Sequence, residues 1–186
     1  MTENNKIEIE LSKSKLTKLL IYSILFLIAG LWMIIKNPHT NNALFNNPVF
    51  KAIASYGGTF MGAIGIYFFT KKLFDKKPGL VIDKDGIYDN TSAFDFGLIP
   101  WNDISQIYER TVRASITSKQ YFVTIELIDP EQYILRETNL LKRKLLIANA
   151  NSYGSPIHIS TNGLKINHTE ILNLLNEYFE KYKRLG

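Results

Sequence analysis

The chain has 186 residues, a formal net charge of +5 and no cysteine, which excludes disulfides and thiolate chemistry. The positive charge is not a nucleic-acid signature once it is divided along the chain. Met1–Lys77 holds ten lysines against four acids, a net +6, whereas Pro78–Gly186 holds twelve basic and thirteen acidic residues, a net −1. The basicity flanks two apolar runs and speaks of anionic lipid and topology, not DNA.

Residues 1–15 read as a leader. Within it Ile7-Glu8-Ile9-Glu10-Leu11 alternates strictly between apolar and charged residues, which is the period of a strand. A lone strand has no local partner, so residues 6–12 are expected either to join a sheet formed by the later chain or to remain without regular structure.

Residues 16–77 read as a two-span transmembrane hairpin, with spans over about 16–35 and 52–70. Leu19–Ile35 is seventeen residues without a charge, roughly 26 Å of helix, which Leu16 and Thr17 lengthen. Ala52–Thr70 is nineteen uncharged residues, roughly 29 Å, apolar or small around its whole circumference. A cleaved signal peptide fits the first run poorly, because Lys36-Asn37-Pro38 follows it in place of a small-residue cleavage site. Lys13, Lys15 and Lys18 precede the first span, and Lys71, Lys72, Lys76 and Lys77 follow the second. These seven are the expected membrane-surface contacts, and the positive-inside rule puts both termini in the cytoplasm. Gly58, Gly62 and Gly65 place small residues along one face of the second span. They allow close helix packing, against the first span or against a second copy.

Residues 78–186 leave enough chain for one cytoplasmic domain with a single core. Leu80–Asp83 and Ile87–Asp89 flank Lys84-Asp85-Gly86, a hairpin turn. Phe96–Trp101, Ile104–Val112 and Tyr121–Ile128 read as further strands, with Trp101 in the core. Pro130–Ala150 changes to a helical period, capped by Asp129, with Tyr133, Ile134, Leu140, Leu141, Leu145, Ile147 and Ala148 as its apolar stripe. The basic run Lys142-Arg143-Lys144 is a candidate lipid contact, against a plain solvated face. Pro156–Ser160 and Leu164–Ile166 flank Thr161-Asn162-Gly163, which reads as a second hairpin with a type I′ turn. Asn167 and Glu170 then form a capping box for an amphipathic C-terminal helix, with Ile171, Leu174, Leu175, Tyr178 and Tyr182 on its buried side.

Short antiparallel strands closed by one C-terminal helix resemble pleckstrin-homology-like (PH-like) domains. The likeness lies in Gly86-Ile87-Tyr88 and in Ile99-Pro100-Trp101-Asn102-Asp103-Ile104. Over nearly its full length, including Lys76-Lys77-Pro78-Gly79, the chain is similar to a family of small bacterial membrane proteins with two N-terminal transmembrane helices and a C-terminal PH-like domain. The resemblance implies a membrane helical hairpin plus an α+β domain: an antiparallel PH-like sheet or barrel with an inserted amphipathic helix and a C-terminal helix. It also implies a bacterial inner-membrane location. His39, His158 and His168 lack metal-ligand spacing, and no nucleophile elbow or phosphate loop is present. The reading is therefore non-enzymatic, with no catalytic residue, cofactor or metal. The expected role is a binding module for a protein partner or for a second copy; the alternative is a sensor of anionic lipid at the inner leaflet.

Overall fold

The computed structural model describes residues 6–94, 96–113 and 119–183. The chain divides into two compact units, Lys13–Lys76 and the combination of Met1–Ser12 with Lys77–Gly186.

The first unit is helical: α1 (Lys13–Lys36), α2 (Ala43–Asn46) and α3 (Pro48–Phe74). α3 starts where Pro48 supplies a first-turn residue with no N–H to satisfy, while the Asn47 side chain accepts from Val49 N at 2.9 Å and Phe50 N at 3.2 Å. α1 and α3 run antiparallel. Gly30 of α1 meets Ser55 and Thr59 of α3, Leu27 meets Gly62, and Ser23 meets Gly65, so α1 descends as α3 ascends. With 24 and 27 residues they are long and apolar enough to cross a membrane. Both extend beyond the expected 16–35 and 52–70, because the flanking lysines continue the helices into their end turns.

The second unit is α+β. Its first sheet has the order β1 (Ile7–Ile9), β2 (Leu80–Ile82), β3 (Gly86–Asp89) and β4 (Leu98–Pro100), every pair antiparallel. The alternating leader segment thus finds its partner across 64 residues of helical insertion, with Ile7, Glu8 and Ile9 opposite Ile82, Val81 and Leu80. Beyond β1 the leader also pairs with the segment that precedes α6. Leu11 bridges Leu164, Ser12 N donates to Gly163 O at 2.7 Å, and Lys165 N donates to Glu10 O at 2.9 Å. The β2–β3 turn is made by Asp83, whose carboxylate accepts from Asp85 N and Gly86 N, and by Gly86 at φ 155°. A Cβ at Gly86 would strike the backbone of Ile99 on β4, so the position demands glycine for close approach as well as for dihedral freedom.

A 3-10 turn at Trp101–Asp103 leads into the second sheet, of order β5 (Ile104–Arg113), β6 (Lys119–Leu127) and β7 (Ile157–Ile159), also antiparallel. Between β6 and β7 lie α4 (Pro130–Arg136) and α5 (Leu140–Tyr153), and α6 (His168–Lys183) closes the chain. Leu80, Ile82, Ile87, Ile99, Ile104, Ile125, Ile157 and Ile159 form the fully buried centre. α6 packs across β5, β6 and the Trp101 turn through Ile171, Leu175, Tyr178 and Phe179. Trp101, 3% exposed, lies within 6.5 Å of the Tyr178, Phe179 and Tyr182 rings, and its indole N–H donates to Asp83 O at 2.9 Å. The expected capping box is present: Glu170 N donates to Asn167 Oδ1 at 2.9 Å and Asn167 N to Glu170 Oε2 at 3.3 Å.

Three expectations need correction. The helix read over Pro130–Ala150 is two helices. It breaks at Glu137–Asn139 because the Asn139 side chain caps a new helix, accepting from Leu141 N at 3.0 Å and Lys142 N at 3.1 Å. That break turns the apolar stripe: Tyr133, Ile134 and Leu146 are buried, but Leu140, Leu141, Leu145 and Ile147 face outward. The second expected hairpin also fails. Thr161–Gly163 is a 3-10 turn without the positive φ that type I′ requires, and Leu164 pairs with leader residue Leu11 instead of with β7. Finally, the strand read over Phe96–Trp101 contracts to Leu98–Pro100, because Trp101 enters the 3-10 turn.

Candidate functional site

Antiparallel packing brings the two ends of the lysine collar together. Lys13, Lys15 and Lys18 occupy the first turns of α1, and Lys71 and Lys72 the last turn of α3. Lys13 Nζ donates to Leu73 O and, at 2.9 Å, to Asp75 O, which satisfies carbonyls left over at the end of α3. Lys72 departs from its expected role as a surface contact. It is buried, 3.9 Å from the Asp75 carboxylate, with its ammonium 5.9 Å from the Phe68 ring. Lys18, Lys71, Lys76 and Lys77 are exposed.

The three glycines are not equivalent. A Cβ at Gly62 would lie 2.6 Å from Leu27 N, and one at Gly65 would collide with the Ser23 side chain. Gly58 has only ordinary contacts, with Phe26 and Gly30 at 3.9 Å. Gly30 on α1 is packed as closely as Gly62, an added Cβ falling 2.6 Å from Thr59 N. Gly30 has Phe26 and Ile34 four positions to either side, so no G-x-x-x-G spacing marks it in the sequence. At the loop end of this unit an open groove of about 500 Å³ is lined by residues that include Asn37, His39, Asn46, Lys51 and Tyr56.

Two of the three residues of the basic run on α5 are engaged by hydrogen bonds within their own unit. Lys142 Nζ donates to Ala93 O at 3.0 Å and lies 4.0 Å from Glu137, while Arg143 Nε donates to Glu137 O at 2.9 Å. Both hold the α4–α5 corner. Lys144 alone of the three projects from the exposed face.

A further polar cluster, which sequence reading missed, sits on the sheet face turned away from α6. Tyr108, Thr124 and His158 form one cross-strand row over β5, β6 and β7, with Arg110 opposite Phe122 beside it. Arg110 donates to Tyr108 Oη at 3.1 Å and stacks near the Tyr108 and Tyr153 rings, at 5.6 and 5.9 Å. His158 Nδ1 is 3.0 Å from Thr124 Oγ1, and Tyr153 packs edge-on to the imidazole at 5.6 Å. Burial, reinforced by the Arg110 charge and opposed by a backbone hydrogen bond at Ser155, holds the His158 pKa below its ordinary value. The strand period marked these positions only as alternate residues; Tyr153, arriving from α5, makes them a cluster. Among the described residues no three His, Asp or Glu side chains are placed to hold a metal ion. No family model, no curated protein and no solved structure matches the chain.

Proposed function

We propose that the chain is a two-span inner-membrane protein that presents a PH-like α+β binding module to the cytoplasm, for a protein partner or a second copy. Support for the anchor is the pairing of β1 with β2. Residues before α1 and after α3 are neighbours in one sheet, so both ends of the helical pair belong on the same side of a bilayer, independently of the lysine count. The lysine distribution then selects the cytoplasmic side. Among the described residues, seven antiparallel strands followed by the covering helix α6 support the PH-like assignment, with α4 and α5 as an insertion before β7.

The observation that carries the binding role is β5. It is ten residues long, stands at the edge of its sheet, and pairs on one side only among the described residues. An edge of that length offers backbone donors and acceptors for strand addition. Sensing of anionic lipid through Lys142, Arg143 and Lys144 has less support, because two of the three are engaged within the unit.

Single cysteines at Asn42, Lys84 and Gly186, challenged with a membrane-impermeant thiol reagent on intact cells, test the topology. Labelling at 42 alone is expected; labelling at 84 and 186 would place the module outside. For the binding role, recovery of the full chain in mild detergent should yield a stoichiometric partner or a dimer. A proline on the open side of β5 should abolish that association, and a monodisperse monomer with no partner would refute the role.

A further inference from the structure

Eight large apolar side chains are exposed among the described residues of the α+β unit, and six of them fall within 128–147: Ile128, Leu135, Leu140, Leu141, Leu145 and Ile147. Scattered surface apolar residues need no explanation, but confinement to one short segment does. On α5, helical spacing gathers Leu140, Leu141, Lys144, Leu145 and Ala148 into one arc opposite buried Leu146. Leu140 and Leu141 are 72% and 70% exposed, and Leu145 50%. The chain builds an ordinary solvated helix face elsewhere: the outward positions of α6 include Asn173, Glu177, Glu180 and Lys181. α5 is different in kind.

We infer that the outer face of α5 is a membrane-surface contact, with Leu140, Leu141 and Leu145 at the boundary between headgroups and acyl chains and Lys144 reaching the lipid phosphates. The inference rests on the two-span reading above. Three features favour a bilayer over a protein. First, only Asp75–Gly79 separates α3 from β2, and only Glu10–Ser12 separates β1 from α1. Five residues span at most about 17 Å, so a bilayer holding α1 and α3 lies within short reach of the unit at high effective concentration. Second, the arc carries Lys144 and, with Asn151 and Ser152 completing its length, no acid, which suits phosphate headgroups. Third, a symmetric pairing of two such faces would set Lys144 against its own copy, a like-charge contact. The contact is chiefly apolar, because Lys142 and Arg143 are already hydrogen-bonded to their own unit, so it should be only weakly sensitive to salt.

The test uses the full chain in vesicles of mixed phosphatidylcholine and phosphatidylglycerol. The absence of cysteine allows single fluorophores at Leu141, at Leu145 as a second position on the face, at Asn173 on α6 and at Leu25 within α1. Spin-labelled lipids serve as the quencher. Quenching at Leu141, Leu145 and Leu25, several-fold above that at Asn173, is expected. Quenching at Leu25 with Leu141 and Leu145 as solvent-exposed as Asn173 would overturn the inference and leave the anchor standing. No quenching at Leu25 would remove the anchor and the inference together. Dry emission at Leu141 without lipid quenching, but with label-to-label contact between copies, would reassign the face to self-association and equally overturn it.

Discussion

Leu11→Ala, alone and with Ile9→Ala, tests whether the leader is part of the core. Ile9 and Leu11 are 7% and 5% exposed. Leu11 packs over Gly79, where an added Cβ would come within 2.9 Å of its Cδ2, and its backbone bridges Leu164. Truncating a buried leucine or isoleucine to alanine costs about 2–5 kcal/mol, least where neighbours can relax. A site at the start of the sheet belongs in the lower half of that range, so about 3 kcal/mol is expected for Leu11→Ala. The double variant should lose roughly 5 kcal/mol, short of strict additivity because the residues are neighbours. Such a loss approaches the whole stability of an ordinary domain, about 5–15 kcal/mol. The chain has two tryptophans, Trp32 in α1 and Trp101 in the α+β core, so a Trp32→Phe background makes Trp101 the sole reporter. In a urea titration in detergent micelles, with a slope of about 1–3 kcal/mol per molar, Leu11→Ala should lower the midpoint by roughly 1–3 M. Glu8→Ala, at an exposed position, is the control and should move it little. A Leu11→Ala midpoint no lower than that of Glu8→Ala would refute the claim that residues ahead of α1 complete the core. The same reasoning says that Pro78–Gly186 expressed alone lacks one strand of its first sheet.

Gly62→Val should destabilise the helical pair by about 2 kcal/mol or more, because its Cβ meets Leu27 backbone, whereas Gly58→Ala should be neutral within about 0.5 kcal/mol; thermal melting in detergent separates them. Tyr133→Phe removes the hydroxyl that donates to Asp103 Oδ2 at 2.5 Å and should cost about 1.5–3 kcal/mol, read by the same Trp101 titration. The folded state holds His158 below 6.5 and so prefers the neutral ring. Its contribution is therefore fully present above that pH and is lost as the pH falls through the folded-state value. His158→Gln should flatten the acid limb of a melting-temperature profile, and an unchanged limb would assign the acid sensitivity elsewhere.

Local chemistry alone determined much of this protein. Unbroken apolar runs bounded by lysine specified two long helices, and the Asn167–Glu170 box and the Asp-Gly turn specified where elements begin and reverse, because caps and turns are settled within four residues. Alternation in Ile7–Leu11 specified a strand, yet only the tertiary structure decided that its partner is Leu80–Ile82, since pairing across the helical insertion leaves no local trace. The same holds for Leu164, which a turn-based reading assigns to β7 and the fold assigns to Leu11. α5 shows the limit most clearly. Periodicity reports that a helix has an apolar stripe but not which way the stripe points; in the fold Leu146 faces the core while Leu140, Leu141 and Leu145 face away from it. Direction is a property of packing, and packing is long-range.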